Sequence, residues 1–231
     1  MSAGRPGFRL LAITPPHGAV DEGLVEAWAP ARAVGLAVLL RDPGASPAAL
    51  VEPSHRLTPL RLACERAGIP CLLSVDAGAR EDLEPALGAA GIVGVQLRGD
   101  PSEAAVAAAR SVLGPRRRLG RSCHGTPRSG GPEVDYSVLA PIFTPQTGPS
   151  GDRPPKVAVG LEPLRAFAAR EPHVFALGGI TGQTAPACLQ AGAWGLAAIR
   201  SFFGPRREVV DNVGRWVRAM TEPAHDAAST P

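Results

Sequence analysis

Eight short apolar runs recur along this chain, at residues 8–13, 36–40, 71–75, 94–97, 119–123, 136–142, 174–177 and 196–199. None alternates apolar with polar residues, so each reads as a strand buried on both faces. A strand of that kind needs cover on both sides, and the segments between supply it. Helical patterns fall at 22–33, 48–67, 83–90, 103–113, 161–170, 184–190 and 207–220, while "GTPRSGGPEV" between the fifth and sixth runs reads as a bare loop. A strand–helix unit repeated about every 25 residues is a parallel β/α repeat. Eight such units in 231 residues predict a single (β/α)8 barrel, a fold that typically takes about 250 residues. An open doubly wound sheet is the competing architecture, disfavoured because no G-x-G-x-x-G turn follows any of the runs. The barrel is expected over residues 1–220, with 221–231 as a disordered tail.

Charge and cysteine usage narrow the class. The net charge is only +3, aromatics make up 4% of residues, and Lys156 is the only lysine. Arg116-Arg117-Arg118 is the one tight basic run, and no aromatic residue interleaves with it, which argues against a nucleic-acid or membrane-surface partner. No apolar run approaches the roughly 20 residues of a membrane span. The opening "MSAGRPGFRLLAIT" lacks the apolar stretch of a signal peptide. Cys64, Cys71, Cys123 and Cys188 form no C-x-x-C pair, so the expectation is reduced thiols in a cytoplasmic protein.

In a barrel of this kind chemistry gathers at the C-terminal ends of the strands, and phosphate is frequently held after strands seven and eight. That places weight on "HVFALGGITGQTAPACLQAGAWGLAAIRS", residues 173–201. Gly178-Gly179 lets the backbone approach a ligand with no side chain in the way. Ile199 and Arg200 end the eighth run beside it. At the other strand ends stand Thr14, then Arg41, which could fix a phosphate or pair with Asp42, then Ser74 to Asp76, Arg98 to Asp100, Ser122 to His124, and Thr144 to Thr147. Asp76 and Asp100 offer hard oxygen ligands of the sort magnesium takes. His124 offers imidazole, the side chain best suited to moving a proton near neutral pH. The plainer alternatives are a tight turn at Gly178-Gly179 and a loop histidine bonded to backbone at position 124.

With these residues assembled, the chain resembles the thiamine phosphate synthase/thiazole tautomerase family over roughly residues 9–203. "ALGGITGQTAPACLQAGAWGLAAIRS" is similar to the family's Gly-Gly-Ile, helix, Ala-Gly-Ala, Gly-Val-Ala pattern. "LGRSCH" resembles Gly-x-Ser-x-His, "DYSVLAPIFTPQTG" resembles Asp-Tyr-(x)4-Pro-Val-Phe-x-Thr-x-Thr-Lys, and "VGLEPLRAF" resembles Gly-Leu-x-x-Leu. The resemblance implies phosphate contacts from Gly179, Gly178, Ile199 and Arg200, with Arg200 where the family has serine. It further implies substrate contacts from Arg41, Ser122 and Thr147.

Other positions depart from the family. Leu39 and Pro43 replace the glutamine and lysine that flank Arg41. The Asn-Asp pair falls on Ser74-Val75, so Asp76 is one residue late, and Asp100 is also one residue out of step. Pro145 and Gly148 replace a threonine and a lysine, and Lys156 is the only lysine able to substitute. The losses fall on groups that would bind diphosphate, metal and pyrimidine, and stabilising a diphosphate leaving group needs cationic charge. The expected activity is therefore that of a thiazole tautomerase, with His124 as proton shuttle, a phosphorylated thiazole as substrate and no cofactor. The alternatives are a thiamine phosphate synthase, with Mg2+ on Asp76 and Asp100, or a non-catalytic phosphate-binding relative. No nucleic acid or membrane is expected as partner, and a homo-oligomer is left open.

Overall fold

The apolar runs close into a ring. The structure is a computed structural model and describes residues 5–18, 20–78, 83–124, 134–144 and 157–221. Eight strands follow one another around a closed parallel barrel: β1 Leu10–Ile13, β2 Leu36–Leu40, β3 Cys71–Asp76, β4 Ile92–Arg98, β5 Arg118–His124, β6 Tyr136–Ala140, β7 Val174–Leu177 and β8 Gly195–Ala198. Closure is made where Leu10, Leu11 and Ala12 of β1 pair with Leu196, Ala197 and Ala198 of β8. The expected (β/α)8 barrel is the fold observed.

Six strands, β1–β3 and β6–β8, split their buried apolar residues between two cores. Leu11, Ala37, Leu39, Leu72, Val138, Phe175 and Ala197 line the interior, while their chain neighbours Leu10, Val38, Leu40, Leu73, Leu139, Ala176 and Leu196 face the helices. This is the period-2 alternation of a strand with both sides buried. The interior is filled by aromatic rings at one level. Phe8, Tyr136 and Phe175 meet pairwise with centroids 5.4 Å apart. Tyr136 takes the space left by Gly120, whose added Cβ would lie 2.1 Å from the Tyr136 ring.

The helices differ more from expectation than the strands do. The pattern at 22–33 gives α1, Leu24–Ala27, and then a 3-10 turn over Ala29–Val34. Pro30 has no N–H to donate and its ring crowds the preceding turn, so one continuous helix cannot form. The pattern at 48–67 likewise gives a 3-10 turn at Ala49–Val51 and then α2, Thr58–Arg66, with Pro53 between them. The later helices are α3 Leu83–Leu87, α4 Glu103–Leu113, α5 Leu161–Ala168, α6 Ala185–Gln190 and α7 Arg206–Thr221. Helix α4 has defined stops: Ser102 accepts a hydrogen bond from the Ala105 amide at 3.2 Å, and Gly114 ends it at φ 65°. Thr221, assigned to the tail from sequence, is the last residue of α7, while 222–231 lie outside the described residues, as do 125–133 of the bare loop. Among the described residues no helix is long and apolar enough to cross a membrane.

Candidate active site

The interior parity decides which side chains reach the mouth. Continuing the two-residue inward parity of β2, β3, β4 and β5 to their ends leads to Arg41, Asp76, Arg98 and His124. Each stands at the C-terminal end of its strand. The mouth has two described arcs, one over β2–β5 and one over β6–β8.

On the first arc, Arg41 is fixed through its backbone. The Thr14 hydroxyl accepts from the Arg41 amide at 2.7 Å and lies 2.9 Å from the Arg41 carbonyl, to which it can donate. The pairing with Asp42 open from sequence does not occur. Asp42 is taken by Arg56 at 2.8 Å and His55 at 3.2 Å. The Arg41 guanidinium instead lies beside Arg98: burial, and after it the charge of Arg98, lower the Arg41 pKa from its ordinary value. Arg98 donates to Asp76 Oδ2 at 2.6 Å, and the two residues are register partners across β3 and β4.

One strand further round, Asp100 and His124 form a pair. Asp100 is the one described non-glycine residue with positive φ, at 55°. Aspartate tolerates that left-handed conformation better than most side chains. The turn it makes brings its carboxylate over the end of β5, where Oδ1 accepts from the His124 amide at 2.6 Å and Oδ2 lies 2.8 Å from His124 Nδ1. Nδ1 is thus the ring nitrogen that His124 turns to Asp100. Below His124 on the same inward face, Ser122 Oγ accepts from Gln96 Nε2 at 3.0 Å, and Gln96 Oε1 accepts from the Tyr136 hydroxyl at 3.1 Å.

The two carboxylates do not fit a shared magnesium ion. Both Asp100 oxygens are engaged by His124, and Asp76 Oδ2 is engaged by Arg98. Among the described residues no group of three or more His, Cys, Asp or Glu side chains is placed to hold a metal. The register slip read from sequence has a structural counterpart here: Asp76 is paired with Arg98 and Asp100 with His124.

On the second arc, β6 and β7 approach closely at Gly178 and Gly179. Their φ angles are 100° and 64°, and added Cβ atoms would sit 2.6 Å from Pro141 Cβ and 2.7 Å from Phe143 Cβ. Both positions therefore require glycine. The Ile142 amide donates to Leu177 O at 2.9 Å and the Phe143 amide to Gly178 O at 3.1 Å, which carries the pairing past the end of β6. Across β8, the Ser201 hydroxyl lies 3.4 Å from the Ile180 carbonyl and can donate to it, drawing the turn after Ile199 and Arg200 against the glycine turn. Gly178, Gly179, Ile199 and Arg200 thus gather on one arc, while Arg41, Ser122 and His124 gather on the other. Thr147 and Lys156 lie outside the described residues.

Thr14 and Arg98 stand among the strand-end candidates read from sequence, and the structure adds the contacts that give each a place: Thr14 with the Arg41 backbone and Arg98 with Asp76. Sequence reasoning did not single out Gln96, although it lies two residues before Arg98 with the same inward parity of β4.

A closed ring of eight parallel strands, with a glycine turn after β7 and a converging turn after β8, defines the class of (β/α)8 barrel proteins. Within that class, the family model described as thiamine monophosphate synthase matches residues 10–202, and the chain belongs to that family. It is 33% identical over 201 residues to a thiamine-phosphate synthase of Alcanivorax borkumensis, covering 84% of this chain and 85% of the relative. It is 33% identical over 199 residues to one of Azorhizobium caulinodans, covering 82% and 84%. Among solved structures, a thiamine phosphate pyrophosphorylase from Pyrococcus furiosus superposes with a TM-score of 0.63 at 19% identity, over 92% of this chain and 95% of that one, a likeness of fold.

Proposed function

We propose that this chain is a thiamine-phosphate synthase: it joins a pyrimidine diphosphate to a thiazole phosphate. A new bond forms between the two heterocycles while the pyrimidine's bond to diphosphate breaks, and that electron pair leaves with the diphosphate. The observation that carries this reading over the tautomerase expected from sequence is the set of relatives named thiamine-phosphate synthase, two of which span 84% and 82% of the chain. The geometry supports it at both ends of the reaction. The turn at Gly178 and Gly179 suits the thiazole phosphate, and the arc bearing Arg41 and Arg98 suits the negative charge that develops on the departing diphosphate.

A second reading, the thiazole tautomerase, keeps one specific observation in its favour. His124 is oriented by Asp100 at 2.8 Å, as a general base is when a carboxylate fixes its tautomer. One pair of assays separates the two. The full chain is given a pyrimidine diphosphate with a thiazole phosphate, and separately a non-aromatic thiazole carboxylate phosphate. Diphosphate release with a coupled product supports the synthase. Aromatisation of the second substrate without diphosphate release from the first reverses the order of the two readings.

A further inference from the structure

We propose that Arg98 and Arg41 form a metal-independent clamp for diphosphate, Arg98 standing where the family resemblance would call for a metal ion. The inference rests on the reading above that diphosphate is the leaving group, and it adds how this chain holds it.

The lysines that the resemblance implies are replaced at two positions, by Pro43 and Gly148, and the two acids are engaged by His124 and Arg98. What the first arc of the mouth offers among the described residues is a pair of guanidinium groups, Arg41 after β2 and Arg98 on β4, with Asp76 of β3 alongside. Among the described residues the Arg41 guanidinium has no hydrogen bond or ion pair, because Asp42 is spent on Arg56 and His55. Among the described residues the Arg98 Nε is buried and has no hydrogen-bond acceptor, whereas its Nη2 is held by Asp76 at 2.6 Å. A buried donor without an acceptor is costly, and a phosphate oxygen is the kind of group that relieves it. Two guanidinium groups against one carboxylate leave net positive charge facing the mouth. Their planar forks match phosphate oxygens in a way that an ammonium does not. Asp76 then acts as a placeholder that competes with the incoming anion for Arg98.

The test is calorimetric binding of inorganic diphosphate to the full chain with excess chelator present. The wild type is expected to bind. Arg98→Gln is expected to weaken binding by about 10–100-fold, the size of a lost charge-assisted hydrogen bond, and Arg98→Lys to recover only part of it. Asp76→Asn is expected to tighten binding, because the competing carboxylate is gone. This variant keeps the test open even if Arg98→Gln folds poorly. Diphosphate binding that appears only with magnesium, an Arg98→Gln affinity equal to the wild type, or weaker binding in Asp76→Asn each overturns the clamp. Turnover of the pyrimidine diphosphate is followed in parallel. Turnover without chelator-proof binding overturns the clamp and leaves the synthase reading standing. Arg98-dependent binding without turnover supports the clamp and removes the synthase reading.

Discussion

Gly179 holds φ at 64° with Phe143 Cβ 2.7 Å from where a Cβ of its own would sit. Gly179→Ala therefore combines left-handed strain with a clash against packed backbone and side chain. We expect a loss of about 1–3 kcal/mol in stability, read as a lower midpoint in urea, together with weaker binding of inorganic phosphate. Unchanged phosphate affinity would detach this turn from the anion site. His124→Asn separates two readings at the same scale. If aromatisation of a thiazole carboxylate phosphate is detected, the substitution should reduce it by about 10²–10⁴-fold and leave phosphate affinity nearly unaltered. The candidate residues at the strand ends were legible because a two-residue period runs from core positions straight to the mouth. Their partners were not. Asp100 reaches His124 across 24 residues of chain only because it adopts φ 55°, and nothing in "LRGDPS" announces that turn. Arg41 sits next to Asp42, yet Arg56, fourteen residues on, claims that carboxylate.

The elements were read well where one physical rule dominates and poorly where two compete. The strands have no polar alternation to mislead, so their cores were placed correctly. Helices α1 and α2 carried good apolar periodicity, but Pro30 and Pro53 interrupt the backbone pattern that periodicity assumes. Helix α4 had no such conflict: Ser102 and Gly114 mark both ends, and its observed bounds are the expected ones. Ser102→Ala should cost about 1 kcal/mol, seen as a drop in thermal midpoint with no change in phosphate binding. The turn before β7 supplies a pH-dependent counterpart. His173 is 8% exposed and packs edge-on to Trp194 with ring centroids 4.9 Å apart. Burial lowers its pKa below 6.5; the Asp135 carbonyl acts against this, and Arg5 adds to it. The unfolded chain therefore takes up the proton first as pH falls. The stability from a neutral His173 is present above about pH 6.5 and declines below it. Thermal midpoints followed from about pH 8 down to about pH 5 should fall less steeply for His173→Gln than for the wild type.

At the level of the whole molecule, α7 closes the seam between the first and last strands. Trp216 is fully buried and meets Phe202 edge-on at 5.4 Å, while Trp28 meets Phe202 at 6.1 Å and donates its indole N–H to the Phe202 carbonyl. Trp216→Ala should cost about 3–5 kcal/mol and lower the unfolding midpoint of the entire barrel, not of α7 alone. Trp216→Phe should cost much less, because it keeps the ring contact and removes an indole N–H that has no acceptor among the described residues. A fluorescence melt in which α7 detaches before the barrel unfolds would contradict this. The same closed ring has a floor. With Phe8, Tyr136 and Phe175 plugging the interior, the barrel is a cup and not a pipe. Whatever binds above His124 must depart through the opening by which it came. A product still seated in the cup therefore blocks the next reactant, and turnover can run no faster than the cup empties.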